Sequence, residues 1–340
     1  MIDLKDLSYS ELEEFLKENG EPKFRAKQIF SWLHKGVESF EEMTDISKKT
    51  AEKLKSKAFI SRLSIREKYV SKLDGTVKYL FSLEDGNCIE SVVMRYKHGL
   101  SLCISSQVGC RMGCRFCAST IGGLYRNLTA GEILNQVIFA QKDMGERISN
   151  IVMMGIGEPL DNYDNVIKFL KNVNDPLGLN IGYRHISLST CGRVDGIEKL
   201  GDEEFPITLS VSLHAPNNEI RNSIMPVNKK YPVEVLIKEC KEYIKKTSRR
   251  ISFEYSLISG VNDSRENAEE LARLLKGMLC HVNLIPVNHV EERDYHKGKK
   301  EDILKFCKTL NNLGINATVR RELGSDISAS CGQLRKKVLE

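Results

Sequence analysis

Three cysteines stand close together in Gly109-Cys110-Arg111-Met112-Gly113-Cys114-Arg115-Phe116-Cys117, with the spacing C-x3-C-x2-C. Thiolates ligate iron–sulfur clusters, commonly four to a [4Fe–4S] cube. Three ligands would leave one iron open, where a small molecule can bind and be reduced. Zinc is the competing occupant, but a structural zinc site needs a fourth ligand. No His or Cys stands at the usual zinc spacing on either side. Gly109 and Gly113 let the backbone wrap closely around a bulky group. The chain has ten cysteines. Its first residues, MIDLKDLSYSELEE, are acidic and lack the basic and apolar regions of a signal peptide. A cytoplasmic location is therefore expected. A reducing compartment disfavours structural disulfides, so clustered cysteines there point to metal or catalysis. Cys240, Cys280 and Cys307 stand alone in apolar or helical stretches and read as small buried hydrophobes.

The elements that must position this loop can be read from periodicity. Residues 1–68 read as helices only, starting with an amphipathic helix capped by Ser10 and ending at Asn19-Gly20. From Thr76 the period becomes two. Thr76–Leu83 and Cys88–Tyr96 read as a β-hairpin, and Lys97-His98-Gly99 turns into a strand over Leu100–Ser105. Strand and helix then alternate. Strands are expected at Ile148–Met154, Arg184–Ser189, Ile207–Leu213, Ile251–Leu257, Val282–Val287 and Ala317–Arg321. Helices are expected at 130–144, 162–173, 194–200, 233–246, 265–278 and 301–313, with a capping box at Thr129 and Glu132. Such alternation implies parallel strands with helical crossovers. The fold class is thus α/β, a partial (βα)6 TIM-like barrel with a small N-terminal helical domain; an open doubly wound sheet is the runner-up. The expected division is a helical domain at 1–68, a hairpin linker at 69–98, the barrel at 99–330 and a C-terminal tail at 331–340.

Several polar groups fall at the C-terminal ends of these strands, where barrel enzymes keep their sites. Gly155-Ile156-Gly157-Glu158-Pro159-Leu160 follows the second strand. Its glycines allow close approach, and a carboxylate suits an ammonium. Ser189 ends the third strand, Ser212-Leu213-His214 ends the fourth, and Asn288 follows the sixth. For His214 a backbone or packing role is favoured, because no partner carboxylate is identifiable.

C-x3-C-x2-C after a barrel strand resembles the signature of the radical S-adenosylmethionine superfamily. The resemblance implies a radical SAM barrel whose [4Fe–4S] cluster is held by Cys110, Cys114 and Cys117. S-adenosyl-L-methionine would chelate the open iron and yield a 5′-deoxyadenosyl radical on reduction. Gly157 and Glu158 resemble the motif that holds the methionine amino group. Ser189, Ser212, Leu213, His214 and Asn288 are the further cofactor-binding candidates.

Three other residues narrow the resemblance. Cys103 lies within the first barrel strand, Glu90 lies in Cys88-Ile89-Glu90-Ser91-Val92, and Cys331 lies in Ser330-Cys331-Gly332-Gln333-Leu334. Read alone, each is an ordinary packing or surface residue. Together with Ser212-Leu213-His214-Ala215-Pro216 and Met225-Pro226-Val227-Asn228, they resemble the radical RNA adenine methyltransferases, the RlmN family with its close relative Cfr. The resemblance covers essentially the whole chain. It implies that two S-adenosylmethionines are used per turnover. One methylates Cys331; the other gives the radical that takes a hydrogen atom from the S-methyl group. The resulting carbon radical adds to carbon 2 of adenine, which is too electron-poor for direct displacement. Glu90 would take the ring proton. Cys103 would then attack the sulfur of Cys331, releasing methylated RNA and leaving a disulfide that must be reduced.

Composition is compatible with this. Apolar residues make up 41% and charged residues 29%, and the net charge is +5. That is mildly basic, short of a dedicated nucleic-acid binder. No apolar run reaches the ~18 residues of a membrane helix. The implied partners are RNA (23S rRNA and tRNA) and an electron donor such as flavodoxin or ferredoxin, with no membrane. The target base must be extruded or single-stranded. The N-terminal domain and the basic clusters Lys245 to Arg250, Lys297 to Lys300 and Arg335-Lys336-Lys337 are candidates for the RNA surface. Three alternatives remain: methylation at carbon 8, a glycyl-radical activating enzyme, which would have no use for Cys103 and Cys331, and a non-catalytic zinc-stabilised RNA-binding protein.

Overall fold

The computed structural model describes residues 1–335. Lys336 and Lys337 of the last basic cluster, and the end of the expected tail, lie outside the described residues.

Among the described residues, ten strands form one sheet. Seven are parallel and lie side by side in sequence order: Gly99–Cys103, Ile148–Met153, Ile186–Thr190, Thr208–Ser212, Ile251–Leu257, Cys280–Pro286 and Ala317–Val319. An open doubly wound sheet would reverse its strand order at a switch point. This one does not, so it is a singly wound, partial barrel. Its parallel strands carry runs of Val, Ile and Leu that are buried in one large core, as expected of strands covered on both faces.

Six helical crossovers link the seven strands. The helix Ala130–Met144 starts at Thr129 with the expected capping box, and Gly145 ends it in the left-handed region. The others follow at Tyr163–Asn174, Val194–Asp202, Val233–Thr247, Arg265–Leu275 and Lys300–Asn312. A short helix at Asn218–Ile224, unforeseen in sequence, precedes the fourth crossover helix.

The sheet extends beyond the barrel through three antiparallel strands, Cys88–Tyr96, Val77–Ser82 and Ser64–Val70. The last of these corrects the helix-only reading of residues 1–68. Six of its seven residues are exposed, so it carries no alternation to betray it. The N-terminal unit also holds a short parallel pair, Ile2–Asp3 with Ala58–Phe59. Its first helix, Tyr9–Glu18, is capped by Ser8 rather than Ser10, because Ser8 forms the reciprocal capping box with Glu11.

The N-terminal unit has its own apolar core, including Leu12, Leu16, Ile29, Phe30, Leu33 and Leu54. It is tied to the barrel by polar bonds. Lys5 Nζ donates to Ser61 O at 2.9 Å and to Asn135 Oδ1 at 2.8 Å. Gly131 N donates to Asp6 Oδ1 at 2.7 Å, satisfying a free N–H at the start of the first crossover helix.

Candidate active site

The cysteine loop is pinned at its base by a hairpin. Gln107–Gly109 pairs antiparallel with Leu124–Asn127. Gly109 has φ +80°, and a Cβ there would meet the Gly123 carbonyl oxygen at 2.0 Å. Only glycine fits this approach. Inside the loop, Cys117 N donates to Cys114 O at 3.2 Å, and Thr120 Oγ1 donates to Cys117 O at 2.9 Å. Arg115 N donates to Ile224 O at 2.9 Å, fixing the loop to the end of the short helix.

Cys110, Cys114 and Cys117 line a single cavity at the C-terminal ends of the barrel strands. Burial pushes the Cys110 thiol up to about 12, and it raises the other two as well. Charge on Cys117 and Cys110 adds to the rise at Cys114. Three buried thiols lining one cavity lose their protons readily only to a cation or a metal cluster, whose charge offsets the desolvation. Among the described residues, no three His, Cys, Asp or Glu side chains are placed to share one metal ion. A tetrahedral zinc needs four donors on one atom. A cube takes each thiolate on a different iron, so its three ligands need not converge on one atom.

The other strand ends close the cavity. Gly155, Gly157, Glu158, Ser189, Ser212, His214 and Asn288 all line it. Gly157 has φ +109°, and a Cβ there would meet Gln107 Cβ at 2.7 Å. The Glu158 carboxylate is buried and accepts from Leu160 N at 3.1 Å and Cys191 N at 2.7 Å. Burial raises its pKa, and these bonds oppose the rise. His214 has φ +57° and accepts the Ser256 N–H on Nδ1 at 2.8 Å. Its ring meets Phe116 edge-on at 4.9 Å. Burial, followed by the charge of Arg221, lowers its pKa to about 3, so it stays neutral. Leu213 is the exception among the expected contacts. Its side chain turns into the barrel core and does not line the cavity; alternation along a strand dictates this, since Ser212 beside it faces the cavity.

Cys331 lines this cavity and also a second one behind it, which it shares with Cys103. Asn288 Nδ2 donates to the Cys331 carbonyl at 2.9 Å, and Ala118 N to the Gly332 carbonyl at 2.8 Å. The tail thus docks beside the cysteine loop. Cys103 is buried at the end of the first barrel strand. Desolvation, followed by charge on Cys331, raises its pKa to about 12, while Arg320 opposes the rise. Both cysteines are free thiols. Glu90 is buried behind the second cavity but lines neither. Its carboxylate accepts the Arg335 N–H at 2.9 Å and lies 3.5 Å from Lys78 Nζ.

Sequence reasoning missed Arg320, Glu254 and Arg221. Arg320 follows the last strand and lines both cavities. Glu254 is buried, accepts from Asn283 Nδ2 at 2.7 Å, and balances Arg320. Arg221 is fully buried behind the cavity-lining Cys191 and Ser212, whose carbonyls it bonds. No local pattern marks any of the three, because each acts across strands distant in sequence. Of the basic clusters, Lys245 to Arg250 precedes the strand Ile251–Leu257 and so lies at the opposite end from the cavity. Lys297, by contrast, lines a surface pocket with His289 and Gln333.

Residues 2–60 match the family described as ribosomal RNA large subunit methyltransferase N-terminal domain, and residues 104–275 match the radical SAM superfamily. A probable dual-specificity RNA methyltransferase RlmN from Clostridium novyi (strain NT) is 58% identical over 340 residues, covering 100% of this chain and 99% of that protein. A protein of the same description from Alkaliphilus oremlandii (strain OhILAs) is 59% identical over 339 residues, with 100% and 99% covered. The crystal structure of a radical SAM methyltransferase from Sphaerobacter thermophilus superposes with a TM-score of 0.94 at 44% identity, covering 98% of this chain and 99% of that one. The chain belongs to the RlmN family of radical S-adenosylmethionine RNA methyltransferases, which use a [4Fe–4S] cluster and S-adenosylmethionine.

Proposed function

We propose that this protein methylates carbon 2 of an adenosine in 23S rRNA, and of an adenosine in tRNA, by way of an S-methylated Cys331. Cys110, Cys114 and Cys117 hold the cluster. Gly157, Glu158, Ser189, Ser212, His214 and Asn288 hold S-adenosylmethionine against it, Glu158 by receiving the amino group. When bound, the cluster and this cofactor supply a carbon-centred radical.

The observation that carries the reading is the position of Cys331. It bridges the cavity of the three cysteines and the cavity of Cys103. A methyl group on its sulfur can face the radical source on one side, while the resolving thiol of Cys103 lies on the other. Cys331 takes a methyl group from one S-adenosylmethionine as nucleophile. After the S-methylene carbon has bonded to the adenine ring, the adduct's unpaired electron would return to the bound cluster while Glu90 accepts the ring proton. Cys103 then attacks the Cys331 sulfur, so an S–S bond forms as the S–C bond to the product breaks, and the released carbon takes up a proton to match the one the Cys103 thiol gives up. Arg320, which lines both cavities, opposes the rise in the Cys103 pKa and so favours the thiolate needed for that attack. A thiol-reducing system of the cytoplasm reopens the disulfide, and a low-potential donor such as flavodoxin or ferredoxin reduces the cluster.

No helix among the described residues is long and apolar enough to cross a membrane. The base reaches the cavity extruded from its stack, with the N-terminal unit and the face carrying Lys297 against the RNA backbone. The test is mass spectrometry of nucleosides from RNA treated with reconstituted protein, S-adenosylmethionine and reductant. 2-Methyladenosine is expected in both RNAs. 8-Methyladenosine would transfer the protein to the Cfr type of reaction, and unmodified RNA would refute the assignment.

A further inference from the structure

Arg221 belongs to the short helix Asn218–Ile224 and is 0% exposed. All its hydrogen bonds end on neutral acceptors. Nε donates to Leu213 O at 3.0 Å, and Nη1 to Asn228 Oδ1 at 3.0 Å and Tyr231 O at 3.4 Å. Nη2 donates to Cys191 O at 2.7 Å and Ser212 O at 3.2 Å. Among the described residues no carboxylate pairs with it. The sulfurs whose charge would act on it are those of Cys191, Cys114 and Cys240, and of these Cys114 belongs to the cysteine loop. The space for the guanidinium is reserved: Gly192 has φ +99°, and a Cβ there would meet Arg221 Nη2 at 3.0 Å.

A buried cation hydrogen-bonded only to carbonyls remains uncompensated, and burying an unpaired charge is strongly unfavourable. Proteins keep such a charge when its partner is something the side chains alone do not display. Arg221 lies behind Cys191 and Ser212, which line the cavity and whose carbonyls it bonds, and the cysteine loop is bonded to its helix through Arg115 N and Ile224 O. Three thiolates outweigh the positive charge of an oxidised iron–sulfur core, and one-electron reduction adds a further negative charge.

We propose that Arg221 is the buried counter-ion of the cluster at Cys110, Cys114 and Cys117, and that its fixed charge raises the reduction potential of that cluster. The proposal rests on those three cysteines being the ligands. Net charge and surroundings set the potentials of such clusters. A fixed cation in a low-dielectric wall favours the more negative, reduced state. Arg221 is a positioning residue as well, because its fork joins the ends of the third and fourth barrel strands.

The experiment is an EPR-monitored redox titration of the anaerobically reconstituted full-length protein, with iron and sulfide measured on every sample. Arg221→Gln removes the charge. Asn228→Asp keeps an oxygen for Arg221 Nη1 and supplies a carboxylate to neutralise it, while losing the bonds that Asn228 Nδ2 donates to Asn218 Oδ1 and Asn222 Oδ1 at 2.9 Å. Each is expected to lower the equilibrium constant for cluster reduction at least tenfold, ~59 mV for a one-electron couple. Arg221→Lys, which keeps the charge and loses the fork, is expected to stay close to the unsubstituted protein. If Arg221→Gln fails to hold iron, the Asn228→Asp and Arg221→Lys results decide. Unchanged potential in Asn228→Asp with full iron content overturns the proposal, as does a Lys variant shifted as far as the Gln variant. A protein that binds no cluster even without substitution overturns the ligand assignment instead.

Discussion

The backbone N–H of Arg335 donates to the carboxylate of Glu90 at 2.9 Å, joining the tail to a strand 245 residues earlier in the chain. The other carboxylate oxygen of Glu90 lies 3.5 Å from Lys78 Nζ, and Lys78 also donates to Ser328 O at 3.2 Å. Glu90 and Lys78 therefore fasten the segment that carries Cys331 on both sides of that residue.

If Glu90 is the proposed base, a proton taken from a nucleobase competes with the Arg335 N–H and Lys78 for its oxygens. Glu90→Gln is expected to keep the cluster and the methyl group on Cys331, yet to lower product formation by at least ~10². RNA should remain attached to the protein on a denaturing gel. Single-turnover assays check this; a rate near that of the unsubstituted protein would show that Glu90 serves only as a fastener.

The two free thiols give opposite signatures. Cys331→Ala removes the methyl acceptor, so neither methylated RNA nor a protein–RNA adduct should form. Cys103→Ala leaves the methyl acceptor but no resolving thiolate, so an adduct should accumulate in proportion to enzyme. Iron content should be unchanged in both. Mass spectrometry of the denatured protein distinguishes the two variants.

Burial and the charge of Cys331 push the Cys103 thiol up to about 12 from an ordinary value near 9. Above pH 9 the unfolded chain loses this proton while the folded chain keeps it. The unfolded state then binds fewer protons, so stability falls as pH rises from about 9 to about 12. Urea melts at pH 8 and pH 10 should show lower stability at the higher pH. Cys103→Ala should shrink the difference, and an equal difference in that variant would contradict the burial of a neutral thiol.

Gly109→Ala should be far more damaging than a surface substitution. Its Cβ would strike the Gly123 carbonyl, and its φ of +80° is unfavourable for alanine. The hairpin under the cysteine loop would open, and iron incorporation should fall below half. Normal iron content in Gly109→Ala would show that the hairpin does not position the cysteines.

The sequence announced its barrel through features that act locally. Thr129 and Glu132 cap the first crossover helix within one turn, and the apolar runs of Ile251–Leu257 and its neighbours reflect burial on both faces. The cysteine loop was equally plain, because all three thiols lie within one short segment. What stayed hidden depends on contacts across the fold. Ser64–Val70 is exposed along most of its length and has no pattern to read. The hairpin of Gln107–Gly109 is only three residues deep on that side. Arg221 looks like any arginine on a short helix, and only the assembled strand ends reveal that it is enclosed. Arg320 and Glu254 become a pair only when the strands carrying them are brought together.

The measurement that bears most directly on the account is the iron and acid-labile sulfide content of anaerobically reconstituted protein, beside the Cys110→Ala, Cys114→Ala and Cys117→Ala variants. About four irons and four sulfides per chain are predicted for the unsubstituted protein, with a brown colour that fades in each variant. A colourless protein holding zinc, or full iron content after loss of any one of the three cysteines, would contradict it.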